Sequence, residues 1–157
     1  MSAAIPDSAL LVALSSGVIL VLGCIHLLYT FRGEKLHPRD PALRAQMAQV
    51  APRITRETTV WKAWLGFNAS HSYGAMLFGL LYAYLALIQP ALLLGSTFLL
   101  GLGALLLVGY LHLAWRYWFR IPQADIAPTA ALYAAALVML MTRFPAGLTW
   151  PRRPSCP

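Results

Sequence analysis

The chain has 157 residues, 59% of them hydrophobic and 11% charged, with a formal net charge of +7 from 12 Lys+Arg against 5 Asp+Glu. Soluble domains carry about 25% charged residues, so this composition excludes an ordinary water-soluble fold, and its hydrophobicity excludes disorder. A basic balance also suits nucleic acid, but so apolar a chain is better explained by a lipid bilayer, and no nucleic-acid partner is expected.

The first segment has no charge between Asp7 and Arg32, which predicts a membrane span over about residues 9–31. A cleaved signal peptide is not expected, because no Lys or Arg precedes the apolar stretch. Val21-Leu22-Gly23-Cys24 loosely resembles a lipoprotein cleavage box, but the apolar run continues through Ile25, Leu27 and Leu28 as a retained span would. Cys24 and Cys156 show neither disulfide nor zinc spacing.

A polar loop over residues 32–59 follows. Asp40-Pro41 reads as a helix start, with Asp as N-cap and Pro in the first position. Leu43, Met47, Val50 and Ile54 recur at helical spacing. The simplest expectation is a short helix lying on anionic headgroups, and a lid over a site in the bundle is the alternative. Glu34 and Glu57 at the loop edges are expected to pair with nearby arginines.

Residues 63–115 contain no Asp, Glu, Lys or Arg, a run of 53 residues. A single helix of that length would be roughly 80 Å long against a bilayer core of about 30 Å. The run must fold back, and Gln89-Pro90 is the natural break. Two spans result, about 60–88 and 91–115, and a fourth follows over about 126–142, before Arg143. Asp125 reads as the N-cap of that last span, with Arg116 or a histidine as other partners. Thr129 and Tyr133 follow it at i+4 and i+8.

The fold class is therefore an all-α membrane protein, a single domain built as a four-transmembrane-helix bundle. Basic residues set its orientation. Arg32, Lys35, Arg39, Arg44, Arg53, Arg56, Lys62, Arg116 and Arg120 fall on one side, and only Arg143, Arg152 and Arg153 on the other. That predicts N-out/C-out topology in a bacterial inner membrane, with the loop 32–59 in the cytoplasm. Trp61, Trp64, Trp115, Tyr117 and Trp118 fit an aromatic belt on the same side.

Three of the four histidines lie inside predicted spans. His26, His112 and His71 sit roughly 9, 6 and 13 Å from the cytoplasmic boundary at 1.5 Å per residue. Ionisable residues at such depths are costly and usually face the bundle interior. Asn68, His71, Ser72 and Ala75 share one helix face, beside a small-residue stripe of Gly66, Ser70 and Gly74 that suits close helix approach. Asn68-Ala69-Ser70 is a glycosylation sequon only in form, because burial is expected there. His26 and His112 both stand in a G-x-x-H-L word, which suggests a duplicated hairpin.

Four words carry a family resemblance: His26-Leu27-Leu28-Tyr29-Thr30-Phe31, Pro38-Arg39-Asp40-Pro41, the run from Trp61-Lys62-Ala63-Trp64 to Asn68-Ala69-Ser70-His71-Ser72, and Arg116-Tyr117-Trp118-Phe119 with Ile121-Pro122. The chain resembles a family of small bacterial four-span membrane proteins with H-L-x-Y-T-F and W-K-A-W-x-G-F-N-x-S-H-S words. The resemblance covers most of the chain and implies an integral membrane protein, with no activity and no catalytic residue attached.

Several functions stay open at this point. A polar pocket lined by His26, Asn68, His71, Ser72 and His112, with Tyr29 and Arg116 at its mouth, would bind a lipophilic or amphipathic small molecule. Histidine's acid–base chemistry would permit catalysis there without requiring it. A haem between His26 and His112, or a transition metal on His26, His71 and His112, is an alternative. A third is a transporter, for which four spans would require a homo-oligomer, or a non-catalytic structural or accessory subunit; in the plainest case the polar groups only bond across helices.

Overall fold

The structure, a computed structural model, describes residues 5–143. Among them every regular element is α-helical: α1 (Asp7–Phe31), α2 (Pro41–Gln49), α3 (Val60–Ile88), α4 (Pro90–Leu94), α5 (Thr97–Tyr117) and α6 (Arg120–Arg143). Helices α1, α3, α5 and α6 are long and apolar enough to cross a membrane. The shortest of them, α5, has 21 residues and so is roughly 31 Å long, close to a bilayer core of about 30 Å. Arg152, Arg153 and Cys156 lie outside the described residues.

The helices invert the usual rule for soluble proteins. On α1 the exposed face is Leu10, Leu14, Val18, Val21, Ile25 and Leu28, spaced by three and four residues. Its buried face carries Ser8, Val12, Ser15, Ser16, Ile19, Gly23 and Thr30. Large apolar side chains thus point outward, where lipid would solvate them, and small or hydroxylated ones point inward. Helix α5 likewise exposes Phe98, Leu102, Leu105 and Leu113 and buries a narrow seam of Leu100, Gly103, Leu107 and Ala114. Buried hydroxyls inside such a bundle find backbone acceptors, because no water is present to serve them.

Helix boundaries follow local chemistry and correct several expectations. Helix α1 stops at Phe31 and the chain turns at Gly33, whose φ of +83° suits a residue without Cβ. Helix α2 starts as expected, with the Asp40 carboxylate accepting from the Ala42 N–H at 2.8 Å and Pro41 in the first position. It ends at Gln49, however, so Val50 and Ile54 do not extend an apolar helical stripe. The cause is Pro52, which drives the preceding residues out of helical conformation; Val50 is extended, and its carbonyl accepts from Val60 N–H at 2.9 Å.

The connection after α3 is longer than the two residues expected. Pro90 opens the short helix α4 rather than the third span itself. A second break follows at Gly95-Ser96, where Ser96 caps α5 by accepting from Leu99 N–H at 3.2 Å. The turn before the last span is shorter than expected, since α6 begins at Arg120. Asp125 is therefore not an N-cap, because Pro122 is tolerated in the first helical turn and lets the helix start before it. Asp125 stands inside α6, where its carbonyl accepts from the Thr129 hydroxyl at 3.0 Å.

Two compact units divide the chain, one of residues 19–78 and one comprising the described residues 5–18 and 79–143. In the second unit α5 and α6 pack together. Tyr82 and Tyr133, both almost fully buried, donate to the carbonyls of Leu99 and Leu100 at 2.6 and 2.9 Å. Gly103 makes room for both rings. Ser15 donates to the carbonyl of Thr129 at 3.0 Å, one residue beyond Pro128. In the first unit α1 and α3 run antiparallel, since Gly23 approaches Ala75 and Met76 while His26 approaches Asn68 and His71.

Candidate functional site

The site is built on α1 and α3 within residues 19–78. Helix α3 turns the predicted polar face inward: Asn68, Ser72 and Ala75 are buried and His71 is half-buried. The neighbouring stripe of Gly66, Ser70 and Gly74 does not pack inward as expected. It is exposed, and a Cβ on Gly66 would meet nothing within 4 Å. The close approach is made instead by Gly23 of α1, where a Cβ would lie 3.0 Å from Met76 Cγ and 3.1 Å from Ala75 Cβ. One turn further along, that approach brings His26 onto α3.

His26 Nε2 and Asn68 Oδ1 are 3.1 Å apart. The Asn68 amide nitrogen donates to the carbonyl of Trp64 at 2.8 Å. That bond fixes which way the amide faces, because an oxygen placed opposite the Trp64 carbonyl would be repelled. Asn68 Oδ1 can only accept, so His26 Nε2 carries the proton and donates. In the neutral ring the remaining lone pair is then on Nδ1. Asn68 therefore sets the tautomer of His26 as well as its position.

His71 meets the same imidazole edge to face, with ring centres 5.4 Å apart and planes at 78°. Ser72 is fully buried and donates to the Asn68 carbonyl at 2.9 Å, so its hydroxyl is satisfied by its own helix. Thr30 does the same on α1, donating to the His26 carbonyl at 2.8 Å. The asparagine is thus occupied by its hydrogen bonds and buried, which is consistent with its sequon being one in form only.

The polar segment after α1 borders this group. Lys35 Nζ lies 3.9 Å above the centre of the Tyr29 ring, so Tyr29 is covered by a cation. Trp64 Nε1 donates to the Leu36 carbonyl at 3.1 Å, tying the loop to the helix that carries Asn68.

The other candidates fall in the second unit. His112 is exposed and lines an α5–α6 groove of about 460 Å³ with Val108, Leu111, Trp115, Gln123 and Ala127. Arg116 is exposed, with its guanidinium 5.5 Å from the Tyr117 ring. The structure thus joins His26, Asn68 and His71 directly and seats Ser72 beneath them. His26 and His112, the pair that a haem between helices would need, belong to different units. Among the described residues no three His, Cys, Asp or Glu side chains gather as a metal-binding group.

Two features of the helix packing, one in each unit, were not anticipated from the sequence. One is Gly23 as the packing glycine; its place one turn before His26 was the available signal. The other is the buried hydroxyl face of α1, signalled by Ser8, Ser15 and Ser16 at i, i+7 and i+8. Comparisons with protein-family models, curated proteins and solved structures found no match.

Proposed function

We propose that the chain is a multi-pass protein of the bacterial inner membrane that binds a lipophilic or amphipathic small molecule. The polar head of that molecule sits at His26 and His71, and its apolar part lies along the helices. The observation that supports this most directly is the Asn68 amide, which holds one imidazole in a single tautomer beside a second imidazole. The lone pair left on His26 Nδ1 is an acceptor beside a second imidazole in apolar surroundings, where a polar head has few other partners. A purely structural role would need only one cross-helix bond, which is worth on the order of 0.6 kcal/mol in membranes.

The orientation belongs to the same proposal. Seven Lys and Arg residues between positions 32 and 62, with Arg116 and Arg120, place the polar loop in the cytoplasm and the opposite helix ends outside. Helix α2 then lies at the cytoplasmic headgroups, near the mouth of the site.

The test is extraction. Wild type and His71→Ala are purified in mild detergent, and the bound lipophiles are extracted and compared by mass spectrometry. The expected result is a compound retained at near-stoichiometric amounts by wild type and lost from the variant, with helical content and elution unchanged. If both proteins carry the same compounds at the same level, the binding proposal fails. Loss of fold alone in His71→Ala would favour the structural role.

A further inference from the structure

A second cavity lies in the polar segment that leaves the membrane after α1. It has a volume of about 470 Å³ and is lined by Glu34, His37, Pro38, Arg39, Pro41 and Arg44. It shares no residue with the His26–Asn68–His71 group. Two arginines, one glutamate and one histidine thus border one space. Arginine forks match phosphate oxygens in bidentate geometry, and a carboxylate matches an ammonium group.

Contacts hold two of these side chains and the turn between Glu34 and His37 in place. The Arg44 guanidinium sits 4.9 Å from the centre of the Trp61 ring. His37 meets the same ring edge to face at 4.8 Å and 84°. Trp61 therefore orients two of the lining side chains from the first turn of α3. The His37 N–H donates to the Glu34 carbonyl at 3.0 Å, a turn that brings both residues to the cavity. Asp40, the other nearby acid, accepts from Ala42 N–H at the start of α2 and does not line the space.

Position favours a lipid over a solute. Leu28 and Phe31, at the end of α1, are 53% and 64% exposed, as lipid-facing residues of a span would be. Glu34 follows Phe31 by three residues, which puts the cavity at the level where headgroups begin. We propose that this cavity binds an amine-bearing phosphate ester, with Arg39 and Arg44 on the phosphate and Glu34 on the amine. The source is the headgroup of phosphatidylethanolamine in the surrounding leaflet, rather than a free phosphoethanolamine ester.

The test uses the full chain in neutral detergent and reads tryptophan fluorescence, since Trp61 touches two of the lining residues. The probes are dihexanoyl phosphatidylethanolamine, dihexanoyl phosphatidylglycerol, phosphoethanolamine and inorganic phosphate. The expected result is a saturable change with the phosphatidylethanolamine probe. Its half-saturation should rise at least about tenfold in the double variant Arg39→Gln/Arg44→Gln, as loss of charged hydrogen-bond donors implies. Glu34→Gln should weaken the phosphatidylethanolamine probe and leave phosphatidylglycerol unchanged.

Arg39, Arg44 and Glu34 are exposed, so these variants should keep the helical content of wild type, and the two single arginine variants serve if the double one does not. Absence of any saturable response overturns the proposal, as does an unchanged half-saturation in the arginine variants. Equal binding of both lipids by wild type and Glu34→Gln overturns the role of the amine. Phosphoethanolamine binding as tightly as the lipid probe overturns the lipid source.

Discussion

Gly23→Ala is the substitution that couples helix packing to the polar site. The new Cβ would stand 3.0 Å from Met76 Cγ, 3.1 Å from Ala75 Cβ and 3.1 Å from the Met76 backbone nitrogen. The Met76 side chain can swing away, but the other two atoms are fixed to α3. The helices must therefore part by roughly 0.3–0.5 Å to reach ordinary contact, a kind of overpacking that costs about 1–3 kcal/mol. The His26–Asn68 bond lies one turn away at 3.1 Å. The same displacement stretches it to roughly 3.5 Å, beyond the usual N–H···O range, and forfeits about 0.6 kcal/mol. Alanine returns about 0.5–1 kcal/mol over glycine inside a helix, so the net loss is about 0.6–3 kcal/mol.

Gly17→Ala on the same helix is the control. A Cβ there meets nothing within 4 Å, so only the helix-propensity gain of about 0.5–1 kcal/mol remains. The propensity gain cancels between the two variants, which should differ by roughly 1.6–3.6 kcal/mol in SDS titrations of detergent-solubilised protein followed by circular dichroism, with Gly23→Ala the less stable. In an Asn68→Leu background the cost of Gly23→Ala should fall by about 0.6 kcal/mol, since the bond it would stretch is already gone. If the proposed binding holds, Gly23→Ala should also lower retention of the lipophile. A Gly23→Ala protein that matches Gly17→Ala in stability and keeps its ligand would refute the reasoning.

Two other predictions probe the second unit and the topology. Gly103→Ala should destabilise by about 1–3 kcal/mol, because its Cβ would collide with the Tyr133 hydroxyl and approach Tyr82 Cε1 to 2.7 Å; Gly101→Ala, with open space, should not, and the same SDS titration distinguishes them. In a protein with Cys24 and Cys156 changed to serine, Ala45→Cys in the polar loop should react with a membrane-impermeant maleimide only after cells are permeabilised. Labelling in intact cells would reverse the proposed orientation.

Much of the fold was legible in the chain because membrane spans are written in the absence of charge. No water reaches the hydrocarbon core, so an apolar run must become a helix there, and its length sets the number of crossings. The start of α2 was equally legible, since Asp40-Pro41 is a local capping arrangement. The boundaries that were misplaced depended on competition between local signals. Pro90 began a short helix before Ser96 began the long one, and Pro122 let α6 start ahead of Asp125.

In the site, periodicity alone selected the face of α3 that carries Asn68, His71 and Ser72, because residues three and four apart share one side of a helix. It did not show which small residues mediate packing: Gly66, Ser70 and Gly74 have the right spacing yet face outward, while Gly23 makes the contact.

The low charge and its concentration in two loops determined, from sequence alone, that this protein has four helices suited to a membrane, and helical spacing marked the face of α3 that carries Asn68, His71 and Ser72, whereas His112, expected to face inward, is exposed. Which of those residues meet is a tertiary matter. His26 and Asn68 are 42 positions apart, and their contact depends on a glycine one turn away and on an amide whose direction is set by the Trp64 carbonyl. Helical periodicity assigns a residue to a face. Only the packing of one face against another selects the partner, the tautomer and the distance.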